Sequence, residues 1–82
     1  MKKILINVYV PSIEKKYELF VPQNKTIGGL IELIVKGVSE MLDSNLDFTN
    51  YNLYNKETGI VIDENRTLYE LNILNGDSFL LV

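Results

Sequence analysis

Apolar residues occupy every second position at the start of the chain, a pattern typical of strands that bury one face. Residues 4–10 alternate in this way, with β-branched side chains at the positions expected to be buried, namely Ile4, Ile6, Val8 and Val10. Residues 17–21 repeat the alternation, and Pro22 ends the second strand because it has no N–H to donate to a sheet. With a turn at Pro11 and Ser12, the two segments predict a β-hairpin.

The middle of the chain changes to helical spacing. Apolar residues recur three or four positions apart over residues 27–42 and form one stripe of Ile27, Leu30, Ile31, Ile34, Val38, Met41 and Leu42. Thr26 is the predicted N-cap, because its hydroxyl can accept a hydrogen bond from a free N–H of the first turn. Gly28, Gly29 and Gly37 each weaken a helix by about 1 kcal/mol relative to alanine, so burial against a sheet must stabilise it. The expected partners of the stripe are Ile6, Val8, Leu19, Phe79 and Leu81.

Turn residues divide the second half of the chain into short segments. The sequence predicts a loop over residues 43–50, a strand over 51–55, a turn over 56–59, a short strand over 60–62 and a loop over 63–66. Residues 67–71 then predict a helical turn, and Asn75-Gly76 a turn with a positive φ before a final strand over 78–82. This order of elements is that of an α+β fold of the β-grasp type, a mixed sheet of four to five strands packed on one main helix.

The composition limits the possible functions. Eighty-two residues suit one domain, 1–82, with a modest core. The chain has no cysteine and no histidine, which excludes disulfides, thiolate nucleophiles, imidazole bases and the usual zinc ligands. The net charge is -3 and the basic residues are scattered, so we expect no nucleic-acid partner. The composition predicts a protein that is not an enzyme and that needs no cofactor.

The N-terminal segment has only some features of a signal peptide. Lys2 and Lys3 precede an apolar stretch, but Asn7 interrupts it and no cleavage site of small residues follows. No window approaches the roughly 18 consecutive apolar residues that a membrane-spanning helix needs. We therefore predict a cytoplasmic protein that does not insert into membranes.

One polar segment has the spacing that opens a calcium-binding loop. Asp43, Asn45 and Asp47 alternate as such ligands do, but Phe48 and Tyr54 stand where the loop requires glycine and the closing glutamate. We therefore expect a solvated connector here and no metal site.

Two further motifs favour a structural interpretation. Gly28-Gly29 at a helix N-terminus could bind an anion through free N–H groups, but no phosphate-loop pattern precedes the pair, and close approach of helix and sheet explains it better. The carboxylates of Glu57, Asp63 and Glu64 could act as acid and base only if burial shifted a pKa. Hydrophilic loops provide no such burial, so we expect no catalytic residue among them.

Three segments match ubiquitin in nearly the right register. They are Leu19-x-Val21 before the loop, Thr26-Ile27-x-x-Leu30-x-x-x-Ile34 in the helix, and Arg66-Thr67-Leu68-x-x-x-Asn72-Ile73. Ubiquitin continues from its last strand into a flexible tail ending in two glycines, and this sequence has none after Val82. The resemblance implies a ubiquitin-like fold that is not conjugated to targets. A covalent modifier or sulfur carrier is the alternative if the native chain extends beyond Val82.

A second set of motifs points to a narrower family. The motifs are Leu30-Ile31-Glu32-Leu33-Ile34, Asn55-Lys56, residues 68–71 and Ile73-x-Asn75-Gly76-Asp77-x-x-x-Leu81. They resemble the YukD-like, or EsaB-like, family of small ubiquitin-like proteins encoded with type VII secretion systems of Gram-positive bacteria. The resemblance implies an adaptor whose protein partner is a cytoplasmic part of the secretion membrane complex. A regulatory β-grasp subunit of an enzyme complex, such as those of multicomponent monooxygenases, is a further alternative.

The face of the sheet opposite the helix is the predicted binding surface. In a β-grasp sheet the first and last strands are neighbours and the third lies beside the last, so alternation places apolar side chains of all three on this face. Ubiquitin's main recognition patch lies on the same face. Such a cluster on a small protein usually marks an interface, whereas scattered apolar surface residues are ordinary. The predicted partner-binding residues are Leu5, Tyr9, Tyr54, Leu80 and Val82, with Ile13 in the adjacent turn.

Overall fold

Four strands and one helix make up the regular structure of the described chain. The computed structural model describes residues 2–42 and 51–82, without the side chains of Met41 and Leu42. The elements are β1 (Lys3–Val10), a 3₁₀ turn (Pro11–Ile13), β2 (Lys15–Pro22), α1 (Ile27–Leu42), β3 (Leu53–Asn55) and β4 (Ser78–Leu81). The sheet order is β2-β1-β4-β3, and only the pairing of β1 with β4 is parallel. This mixed sheet with one helix confirms the predicted α+β, β-grasp architecture.

The first hairpin extends further than the apolar pattern predicted. Every residue of β1 pairs with one of β2, from Lys3 opposite Pro22 to Val10 opposite Lys15. The connection closes at Glu14, whose φ of 52° is in the left-handed region and whose N–H donates to the Pro11 carbonyl. Backbone pairing continues to this turn because hydrogen bonds between main chains do not depend on apolar side chains, the only signal that the alternation detects.

Helix α1 has the predicted bounds and the predicted cap. The Gly29 N–H donates to Thr26 Oγ1 at 3.1 Å, which confirms Thr26 as the residue that caps the first turn. The buried side of the helix consists of Ile27, Leu30, Ile31, Ile34 and Val38. Their packing confirms the predicted stripe, except that the side chains at 41 and 42 lie outside the described part of the chain.

The core fills the space between the helix and one face of the sheet. The sheet contributes Ile4, Ile6, Val8, Val10, Val21, Leu53, Phe79 and Leu81, and the last connection adds Leu68 and Ile73. Leu19 was expected in this core, but it is only partly buried and packs at its margin. The difference arises because β2 is the last strand on its side of the sheet, where the helix covers less of the inner face.

Residues 60–62 do not form the predicted fourth strand. Within the described residues they contribute one isolated bridge, in which Val61 pairs with Tyr54. After that bridge the chain leaves the sheet to meet the helix, where the Glu64 and Arg66 carbonyls accept hydrogen bonds from the first turn of α1. The turn before the bridge was predicted correctly, and Gly59 supplies its positive φ of 71°.

Thr67 and Glu70 cap the short helical turn predicted at residues 67–71. The Glu70 N–H donates to Thr67 Oγ1 at 3.1 Å, and the Thr67 N–H donates to Glu70 Oε1 at 3.0 Å. This reciprocal pair is a capping box. The hydrogen bonds from the Thr67 main chain and hydroxyl, with a smaller effect of Arg66, hold the pKa of Glu70 below its ordinary value of 4.5.

We expect Glu70→Gln to remove part of the dependence of stability on acid pH. Because the folded state lowers this pKa, the ionised carboxylate stabilises the fold above the unfolded-state pKa, and that stability is lost as pH falls through the folded-state pKa. Glutamine keeps an acceptor oxygen but does not titrate. The melting temperature of the wild type minus that of Glu70→Gln should therefore decrease between about pH 7 and pH 3. A difference that stays constant over this range would contradict the capping assignment.

Candidate functional site on the outer face of the sheet

Register places four apolar side chains in one line across the outer face, and we call Tyr9, Leu80, Tyr54 and Val61 the outer row. Tyr9 pairs with Leu80, Leu80 with Tyr54, and Tyr54 with Val61. Paired residues point to the same side of a sheet. Since the sequence neighbours Val8, Phe79, Leu81 and Leu53 are buried against the helix, the outer row faces away from it. Three of its members are half-buried, and Val61 is 51% exposed.

A lysine extends the outer row onto β2. Lys16 pairs with Tyr9, and its Nζ lies 5.9 Å from the centroid of the Tyr9 ring. This distance is within the range of a cation–π contact. The outer row therefore ends at the aliphatic Val61 on one side and at Tyr9 on the other, where the Lys16 ammonium adds a positive charge beside it.

Leu5 was predicted to belong to the same patch, but the structure separates it from the outer row. Leu5 and Tyr9 are four residues apart on β1, about 13 Å. Between them lies a polar band in which Asn7 pairs with Ser78 on one side and Glu18 on the other. The Asn7 Nδ2 donates to the Gly76 carbonyl at 3.3 Å, which keeps this band hydrogen-bonded.

Leu5 lies instead beside Phe20, a residue that the sequence did not predict as part of the binding surface. The two residues pair across β1 and β2, and Phe20 is 71% exposed. Phe20 stands between the inward-facing Leu19 and Val21, so its outward direction followed from the alternation. That Phe20 lies beside Leu5 could be known only from the register of the hairpin, which pairs the two residues. The outer face thus carries two apolar areas, the outer row and the Leu5–Phe20 pair.

The remaining two predicted residues lie at the margins of this face. Val82 is exposed two positions beyond Leu80, and its N–H and carbonyl both bond to Asn52, at 3.0 and 2.8 Å. It therefore continues the sheet next to the outer row. Ile13 is half-buried in the 3₁₀ turn and packs against the core, so it offers little surface to a partner.

The glycines at the start of α1 do not form an anion site. The Ile27 N–H donates to the Arg66 carbonyl at 2.9 Å and the Gly28 N–H to the Glu64 carbonyl at 3.0 Å, so these donors are occupied. A Cβ on Gly28 would lie 3.4 Å from the same Glu64 oxygen. This is an ordinary van der Waals distance, so packing does not require glycine at this position. The neighbour is the loop over 63–66, whereas a close approach to the sheet was predicted.

The polar motifs considered for chemistry show no built site in the described residues. Glu57, Asp63 and Glu64 are exposed, and Asp63 Oδ2 lies 3.8 Å from the Arg66 Nε. Within residues 2–42 and 51–82, no three acidic side chains come together as metal ligands would. The motif of Asp43, Asn45 and Asp47 lies outside the described residues. The described part of the chain also has no helix that is both long and apolar enough to cross a membrane.

Solved structures with this fold include domains of secretion proteins. The chain is similar to the ubiquitin-like domain of EccD5 from Mycobacterium xenopi, with 16% identity, coverage of 100% of this chain and 94% of that one, and a TM-score of 0.79. The ubiquitin-like domain of the Mycobacterium tuberculosis type VII secretion system protein ECCD1 gives 16% identity, 100% and 99% coverage, and a TM-score of 0.74. At these identities the similarity shows the ubiquitin-like β-grasp fold.

A third similar structure is a chain of the MycP5-free ESX-5 inner membrane complex in State II. It gives 15% identity, coverage of all of this chain and 21% of that one, and a TM-score of 0.78. The fold therefore occurs there as one part of a much longer chain. No curated protein has a significant match to this sequence.

The family assignment comes from the sequence itself. The family described as "WXG100 protein secretion system (Wss), protein YukD" matches residues 5–81. That range includes β1 from Leu5 onward, all of β2, α1, β3 and β4, and all of the outer row. The chain belongs to the YukD family of the WXG100 protein secretion system, which confirms the resemblance read from its motifs.

Proposed function

We propose that this protein is a noncovalent adaptor of a type VII secretion system that binds a cytoplasmic part of the secretion membrane complex through the outer row. Family membership supports the secretion system. The occurrence of a similar fold within a chain of the ESX-5 inner membrane complex supports a protein of that complex as the partner. In this proposal the protein itself is cytoplasmic, catalyses no reaction and needs no cofactor.

The outer row is the observation that carries the proposal. It aligns Tyr9, Leu80, Tyr54 and Val61 as consecutive cross-strand neighbours on the face that α1 does not cover. Tyrosine is over-represented among residues that dominate binding energy, because its ring buries a large area and its hydroxyl can still bond. Val82 at the margin adds to this area, and the Lys16 ammonium over Tyr9 provides a charge for orientation.

Export of WXG100 proteins is the direct test. We expect deletion of the gene in its native bacterium to reduce the amount of WXG100 protein in the culture medium, and the wild-type gene to restore it. Val61→Asp, which places a charge at the exposed end of the outer row, should restore little export. Ile60→Asp is the matched control. Ile60 is 65% exposed and precedes Val61 in the sequence, but it does not belong to the outer row.

Equal amounts of both variants in the cell and similar melting curves are needed to interpret this comparison. Export that is unchanged by the deletion would overturn the proposed role in secretion. Full restoration by Val61→Asp would keep that role but remove the outer row as its binding surface.

A further inference from the structure

Strand β2 lies at the edge of the sheet and has a neighbouring strand on one side only. The hydrogen bonds of β1 show which main-chain groups of β2 point away from the sheet. The Leu5 carbonyl accepts from Gly76 and the Asn7 N–H donates to Asp77, so these residues of β1 point their main-chain groups toward β4. The alternate residues of β1 therefore point toward β2, where their partners are Val21, Leu19, Tyr17 and Lys15. The main-chain groups of Lys16, Glu18 and Phe20 are left facing outward from the sheet, with no strand beside them in the described chain.

Both ends of this free edge are closed to further pairing. Pro22 has no N–H and therefore cannot continue a ladder on the open side. Glu14 has a φ of 52°, so the backbone leaves the extended conformation there. The segment available to another strand is thus limited to residues 15–21.

Apolar surface continues from this edge toward the helix. A groove of about 120 Å³ separates β2 from α1 and is lined mainly by Leu19, Leu33, Ile34, Gly37 and Val38. Leu33 is 51% exposed, and a Cβ built on Gly37 would meet no atom within 4 Å. An edge strand beside an open apolar groove is the arrangement to which an added strand can bind.

We propose that a second copy of this chain occupies this edge, pairing antiparallel through β2 with a two-fold axis at Tyr17. The register follows from charge and from the free main-chain groups. In a symmetric antiparallel pair, a residue whose main-chain groups point outward must lie opposite another such residue of the second copy. Only a few alignments of the two β2 strands meet this condition. The register centred on Tyr17 places Lys16 opposite the partner's Glu18, twice by symmetry, so opposite charges face each other.

The neighbouring registers are unfavourable for identifiable reasons. Centring the axis on Lys16 or Glu18 would place like charges opposite each other, which destabilises a ladder. Centring it on Leu19 would pair Lys16 with the partner's Pro22, which cannot donate. In the favoured register Tyr17 meets the partner's Tyr17 on the groove side, and the two sheets join into one of eight strands. This interface leaves Tyr54 and Val61, at the other side of each sheet, accessible to a different partner.

Charge reversal tests the register in solution. We expect sedimentation equilibrium of the wild type, between about 10 μM and 1 mM, to show a reversible monomer–dimer equilibrium. Lys16→Glu and Glu18→Lys should each weaken the dimer by about fourfold or more, because two attractive pairs become repulsive. The double variant Lys16→Glu with Glu18→Lys should recover wild-type dimerisation, since the charges are only exchanged. A wild type that stays monomeric, or a dimer that none of these changes affects, would overturn the proposal.

Cysteine cross-linking tests the position of the axis independently. The chain has no cysteine, so Tyr17→Cys introduces a single thiol. Tyr17 and the partner's Tyr17 form a non-hydrogen-bonded pair in this register, with a Cα separation of about 4.5 Å that permits a disulfide. We expect Tyr17→Cys to form a covalent dimer under mild oxidation. Lys15→Cys should not, because its copies lie about four residues apart along the strands. Equal cross-linking of the two variants would refute this axis.

Discussion

Ile34→Ala should reduce the free energy of unfolding by about 2 to 5 kcal/mol. Ile34 lies at the centre of the buried stripe of α1, between Leu30 and Val38, and is only 5% exposed. Its truncation removes apolar contacts on both the helix and the sheet and leaves a cavity. At roughly 0.05 to 0.15 kcal/mol per residue, a domain of this length has a total stability of only about 4 to 12 kcal/mol. The expected loss is therefore a large share of the total.

Leu33→Ala is the matched control for this substitution. Leu33 is the preceding residue of the same helix but is exposed, so its truncation makes a similar change in helix propensity without creating a core cavity. Urea denaturation of both variants, at a protein concentration low enough to keep the chain monomeric, measures the difference. A loss under about 0.5 kcal/mol for Ile34→Ala, the range of surface substitutions, would mean that a different side of α1 faces the sheet.

Tyr54→Ala should weaken binding to the secretion membrane complex by about 1 to 4 kcal/mol, roughly 5- to 700-fold, if the proposed function holds. Tyr54 lies inside the outer row, between Leu80 and Val61. A central aromatic side chain in such a cluster is the kind of residue that most often dominates an interface. The membrane complex purified from the same bacterium and immobilised on beads provides the binding partner, and the retained protein is quantified over a concentration series.

Phe20→Ala is the control for this measurement. Phe20 is an exposed aromatic residue on the same face, but it lies beside Leu5 and beyond the polar band at Asn7. We expect the Phe20→Ala variant to bind the membrane complex with a dissociation constant within a few fold of the wild-type value. Melting curves of both variants separate loss of binding from loss of fold. Equal retention of Tyr54→Ala and wild type would show that the outer row does not contribute to binding. A loss of binding confined to Phe20→Ala would place the interface at the Leu5–Phe20 pair.

Leu80→Asp would be a less informative test of the outer row than Val61→Asp. Alternation predicts that Leu80 lies on the outer face, but it does not predict how exposed the side chain is. In the structure it is half-buried, with Tyr9 on one side and Tyr54 on the other. A carboxylate there would lose contact with both rings and be partly desolvated, so a binding defect could reflect a damaged sheet. Val61, at the exposed end of the outer row, avoids this difficulty.

The sequence by itself determined the elements whose signals are local. The period of the apolar residues and the hydroxyl of Thr26 predicted α1 over Ile27–Leu42, and alternation assigned Tyr9, Tyr54 and Leu80 to the outer face. The motifs near Asn75-Gly76-Asp77 also led to the correct family. These predictions succeeded because helix spacing, capping and side-chain direction depend on residues close together in the chain.

Only the tertiary structure decided which of these residues meet. It separated Leu5 from Tyr9, brought Phe20 beside Leu5, reduced residues 60–62 to the single bridge at Val61, and placed the 63–66 loop against Gly28. The physical reason is that alternation specifies the face of a strand but not the residue opposite it. That register is set by turn geometry and by core packing between segments far apart in the chain, for which a single sequence carries no local signal.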